Sequence, residues 1–190
     1  MNSKEKFLKS EQKESSKSEK EGKLKYSYEF PGGEKFEVAK KEDGMMKIIL
    51  KKDNRDIFDF STFLPKDWKF VSEDYIRKLN EKFKKETAWF GWLADHDRKL
   101  IQVGEFETSK DFLTLLHEIG HAQKNQPEDL KKYNLMLERL FPTDINFPKP
   151  LKREHARIAD KIEREAWDYG LALLQKLEKQ FDLDLKKMFP

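Results

Sequence analysis

Residues 117 to 121 read His-Glu-Ile-Gly-His, which sets two of the chain's four histidines four residues apart with a glutamate beside the first. On a helix that spacing puts both imidazoles on one face, about 6 Å apart along the axis. Two imidazoles so placed can hold one metal ion through ring nitrogens at about 2 Å. Glu118 is rotated by about 100° from His117, too far round to join them easily, and its carboxylate is left beside the ion's open position. There it can take a proton from water whose pKa a zinc ion lowers from about 16 toward about 7. The pattern therefore suits zinc-assisted hydrolysis of a carbonyl compound, with His117 and His121 as metal ligands and Glu118 as the base. The plain alternative is a surface helix carrying two solvated histidines.

Zinc needs a further protein ligand, and the chain has no cysteine to offer. His, Asp or Glu must complete the set. One common continuation, H-E-x-x-H-x-x-G-x-x-H, is excluded because Lys124 and Pro127 stand where glycine and histidine are required. A carboxylate from a second helix remains. The last long helical stretch, about 152 to 179, has an apolar stripe of Ile158, Ile162, Ala166, Tyr169, Leu173 and Leu177. Glu163 and Glu165 flank that stripe on opposite sides, with Asp160 and His155 also in range. Helical periodicity does not choose among them.

These residues need elements to position them. Residues 1–22 are mostly Lys, Glu and Ser and read as a flexible charged tail. From Leu24 to Phe60 apolar and polar residues alternate, with turns at Pro31-Gly32-Gly33 and Asp43-Gly44, which predicts a small antiparallel β meander over 23–60. A helix follows with Ser72 as N-cap and Val71, Tyr75, Leu79 and Phe83 at helical spacing. Two short strands, TAWFGWLA and KLIQVGEF, flank a turn at Asp95-His96-Asp97-Arg98. Thr108 or Ser109 caps the motif helix, whose buried side is Phe112, Leu115, Leu116 and Ile119. Gly120 costs that helix about 1 kcal/mol relative to alanine, which points to close approach of another backbone. A further helix from Pro127 and a proline-rich loop over 141–150 complete the chain. The expectation is an α+β fold, with residues 61–190 forming the domain that carries the motif.

Composition narrows the function classes. The chain has 39 basic and 36 acidic residues, so no concentrated basic face for duplex nucleic acid is visible. Aromatics beside lysines in the meander could stack bases, but Glu29, Glu34, Glu37 and Asp43 lie among those lysines and repel phosphate. Direct nucleic-acid binding is not expected. The basic N-terminus is followed by no apolar run, and no later stretch approaches the ~20 apolar residues of a membrane span. A soluble, cytoplasmic protein without disulfides is expected.

The strand KLIQVGEF, the stretch ETSKDFLTLLHEIGH and the later EREAWDYGLALL together resemble the ImmA/IrrE family of intracellular zinc metallopeptidases, over roughly residues 70–178. The resemblance implies a zincin-like core in which a strand, an HExxH helix and a later helix assemble the site. Matched motif to motif, it implies His117 and His121 as zinc ligands, Glu118 as the catalytic glutamate and Glu165, just before Ala166, as the third ligand. The chain departs from the family at Trp167, where asparagine is frequent. On this basis Asp168 is expected to receive the second ring N–H of a ligand histidine. Tyr169, Tyr133 and His155 are expected as oxyanion donors. The implied partner is a protein or peptide substrate, such as a transcriptional repressor. The rival expectation is a non-catalytic interaction domain that keeps the metallopeptidase fold.

Overall fold

Alternating apolar side chains turn the first part of the chain into a sheet with one dry face. The computed structural model describes residues 22–83, 91–124 and 149–189. Strands β1 (Lys23–Glu29), β2 (Lys35–Lys40), β3 (Met46–Lys52) and β4 (Arg55–Asp59) pair in sequence order, all antiparallel. Phe36 and Val38 of β2 and Ile48 and Leu50 of β3 are fully buried. The turn into β2 places Gly33 at φ +91°, a conformation that glycine adopts without strain. Leu24, expected on the buried alternation, is instead exposed, because the β1–β2 register shifts between Leu24 and Tyr26. Such a bulge re-aims the side chains that precede it. The meander's lysines are largely paired within the protein: Lys51 Nζ lies 2.8 Å from Glu37 and Lys35 Nζ 3.2 Å from Glu29.

A second sheet has the order β5-β7-β6, with β5 (Lys69–Ser72) parallel to β7 (Leu100–Val103) and β6 (Leu93–Asp95) antiparallel to it. A single bridge from Met45 to Val71 joins the two sheets. Strand β5 was not expected: Val71 lies within this strand instead of opening the next helix, and Ile76 takes the buried helical position. A four-residue strand without polar alternation leaves no periodic signal. Helix α1 (Glu73–Phe83) does begin as expected, with the Ser72 hydroxyl accepting the Tyr75 N–H at 3.3 Å. A turn joins β6 and β7 as expected, but at 96–99, one residue later than predicted, because Asp95 belongs to β6.

Helix α2 (Ser109–Lys124) starts beside a carboxylate that caps the residues before it. The Asp111 carboxylate accepts the Thr108 N–H at 2.8 Å and the Glu107 N–H at 3.0 Å. Helix α3 runs from Lys149 to Phe181, so the last two residues of the expected proline-rich loop belong to its first turn. Proline fits there because a first-turn N–H has no intrahelical acceptor. Lys52 donates to the carbonyls of Phe181 and Asp182 at the C-terminus of α3, and the short helix α4 (Leu185–Met188) follows. The charged tail up to residue 21, most of the expected strand TAWFGWLA, the helix from Pro127 with Tyr133, and the loop at 141–148 lie outside the described residues.

One hydrophobic cluster contains residues of the meander, β5, β7, α2, α3 and α4. Its centre is aromatic. Phe36 stacks on Phe106 at 4.1 Å, and Phe30, Phe36 and Phe60 all present edges to Phe112 of α2. The mixed α+β class expected from the sequence is what the chain forms. The meander shares a core with the helices that carry the motif, and that core fixes the buried side of α2.

Candidate metal centre

The geometry of the site begins with two glycines. A Cβ added at Gly120 would lie 2.1 Å from the Ala166 carbonyl oxygen, and one added at Gly170 would lie 2.9 Å from the Leu116 carbonyl oxygen. Both are closer than real contacts allow, so α2 and α3 cross backbone to backbone at these positions. That is the close approach Gly120 suggested. Ala166, itself buried, contributes the small residue on the facing helix.

This crossing brings three ligating groups to one place. The Nε2 atoms of His117 and His121 are 2.9 Å apart, and the Glu163 carboxylate oxygens lie 3.2 Å and 3.6 Å from them. All three donors fall within 4.8 Å of one another. A tetrahedral ion with bonds of about 2.0–2.1 Å has ligand atoms about 3.3 Å apart, so the observed separations suit one ion between them. Glu163 stands where the family resemblance implied Glu165. The Glu165 carboxylate instead lies 3.9 Å from Lys161 Nζ, on its own helix. The two glutamates are two residues apart and so lie about 200° apart around the helix. The side on which α2 crosses selects Glu163.

Burial sets the protonation of the motif's first histidine and of its glutamate. Burial holds the His117 imidazole down to about 4, with the charge of His121 adding to the effect. His117 is therefore neutral at physiological pH, with a nitrogen lone pair available. Glu118 is almost completely buried, and burial pushes its carboxyl up to about 7. The Ala94 backbone N–H opposes that shift by hydrogen bonding, while Glu163 reinforces it. A carboxyl near neutrality suits a group that must both accept and return a proton. Strand β6, at the edge of its sheet, thus supplies the contact that holds the Glu118 carboxylate.

The supporting residues differ from expectation. Asp168 is exposed, and His117 Nδ1 is buried with no hydrogen-bond partner among the described residues, so Asp168 does not receive that N–H. Tyr169 is half-buried against the core, with Lys124 Nζ 5.3 Å from its ring centre. Two contributors carried no signal as site residues in the sequence. Trp167 lies over the His117 ring at 4.3 Å with a 32° tilt. His96, on the β6–β7 turn, packs edge-on against Trp68, and burial together with the charge of His121 holds it down to about 4. The adjacency of Trp167 to the expected ligand was visible, but its contact depends on the helix crossing. No family model, curated protein or solved structure matches this chain.

Proposed function

We propose that this protein is a zinc-dependent metallopeptidase built on a zincin-like core. The observation that carries the reading is the convergence of His117, His121 and Glu163 beside a buried glutamate whose carboxyl is raised to about 7. Two imidazoles and one carboxylate form an open ligand set typical of catalytic zinc, whereas structural zinc is usually closed by four protein ligands. Zinc held there would supply Lewis acidity, polarising a peptide carbonyl and acidifying water.

The chain's own residues do the rest. The Glu118 carboxylate accepts a proton from the attacking water as the oxygen adds to the carbonyl carbon. It then delivers that proton to the amide nitrogen as the C–N bond breaks, leaving a carboxylic acid and an amine. The hydrogen bond from Ala94 keeps the carboxylate oriented through both transfers. The resemblance to the ImmA/IrrE family extends the proposal to an intracellular regulatory protein as substrate, such as a transcriptional repressor. No helix among the described residues is long and apolar enough to cross a membrane.

Zinc content, measured in untagged protein and in three variants, tests this reading. The unaltered protein and Glu165→Ala should each hold about one zinc, Glu163→Ala should lose most of it, and Glu118→Gln should keep it. Cleavage of a peptide library, followed by mass spectrometry, should stop in Glu118→Gln. Zinc lost from Glu165→Ala but kept in Glu163→Ala would move the third ligand back by one crossing face. Undiminished turnover by zinc-loaded Glu118→Gln would remove Glu118 from the chemistry.

A further inference from the structure

A histidine that ligates a metal is normally aimed by a hydrogen bond from its other ring nitrogen to a carboxylate, carbonyl or water. His117 has no such partner: its Nδ1 is buried and unbonded among the described residues. Its ring is instead enclosed by other rings. The His121 imidazole meets it edge-on at 4.4 Å, and the Trp167 indole covers a face at 4.3 Å with a 32° tilt. An imidazole covered in this way cannot turn about its Cβ–Cγ bond without striking the indole.

We infer that Trp167 is the positioning residue for His117, holding the imidazole in its metal-binding orientation by stacking in place of the usual hydrogen bond donated by Nδ1–H. The inference rests on the metal-binding reading of the site. Three observations support this role over simple core packing. Trp167 is 41 % exposed, one of three large apolar side chains left open to solvent among the described residues. It follows Glu163 by four residues, so one row of α3 supplies both the carboxylate of the site and the ring that aims its first histidine. Indole has no lone pair free to ligate a metal ion, so Trp167 acts through the side chains it packs against, and His117 is the ring it covers.

The test is titration of the full chain with Co2+, following its visible absorption and the protein's tryptophan fluorescence, in the unaltered protein, Trp167→Ala and Trp167→Phe. Far-UV circular dichroism should be the same for all three, because Trp167 is not a core residue. Trp167→Ala should bind Co2+ about tenfold more weakly, the loss typical of removing a group that orients a metal ligand. Trp167→Phe retains a stackable ring and should stay within about threefold of the unaltered protein. Bound Co2+ should quench fluorescence in the unaltered protein, and most of that response should vanish in Trp167→Phe although the metal still binds. Equal affinity in Trp167→Ala and the unaltered protein would overturn the inference, as would a loss in Trp167→Phe as large as in Trp167→Ala. Failure of the unaltered protein to take up Co2+ would overturn the metal reading itself, and this inference with it.

Discussion

At the scale of single residues, two ionisable groups of the motif are held away from their ordinary behaviour by the same cause. Burial favours the neutral forms of both His117 and Glu118. For Glu118 the folded-state value of about 7 lies above the ordinary 4.5. Its carboxyl therefore costs nothing below about pH 4.5, becomes progressively destabilising between 4.5 and 7, and imposes its full penalty above 7. In the metal-free protein Glu118→Gln should be more stable than the unaltered chain at pH 8, by on the order of 3 kcal/mol, with the gain fading toward pH 4.5. Urea unfolding of both proteins across that range checks it, and parallel pH profiles would show that Glu118 is solvated. The residue types that could hold a metal and carry a proton were readable because H-E-x-x-H fixes three positions by helical geometry alone. The choice between Glu163 and Glu165 was not, since both border the same apolar stripe.

At the scale of elements, the site depends on how closely α2 and α3 approach. Helix propensity predicts that Gly120→Ala would stabilise α2 by about 1 kcal/mol. Packing predicts the reverse, because the new methyl group would lie 2.1 Å from the Ala166 carbonyl oxygen, a backbone atom that cannot swing aside. Overpacking of this kind typically costs about 1–3 kcal/mol, and here the helices must also move apart. Gly120→Ala should lower the melting temperature and weaken zinc binding together, although no ligand has been touched. A rise in melting temperature with zinc binding intact would mean the helices cross less closely than described. The close approach was legible in outline, as an unexplained glycine inside an apolar helix. Its partner was not, because the apolar stripe that includes Ala166 does not say which of its residues meets Gly120.

At the scale of the whole molecule, the meander and the motif helices share one aromatic core. Phe36 of β2 touches Phe60, Phe106 and Phe112. Its truncation removes packing from both regions at once. Phe36→Ala should cost about 3–5 kcal/mol, as for other buried phenylalanines. Unfolding should remain a single transition, seen alike by helix circular dichroism and by tryptophan fluorescence. A variant in which the meander melts while the helices persist would instead make residues 23–60 a separately folding unit. The meander itself was legible from its alternation and its turns. Its attachment was not, because burial of Phe36 and of Phe112 can be read separately from periodicity, but their contact cannot.

The sequence by itself determined the local chemistry: which helix carries the imidazoles, where Glu118 stands relative to them, and that cysteine cannot take part. Those features follow from spacing within one element, where 3.6 residues per turn fixes direction. Only the tertiary structure decided which carboxylate joins the pair, what orients His117, and what surrounds Glu118. Each of those depends on the rotation of α3 about its own axis and on the side from which α2 meets it. That rotation is set by Gly120, Ala166 and Gly170 allowing two backbones into contact, a relation between residues some fifty positions apart that no single helical period can encode.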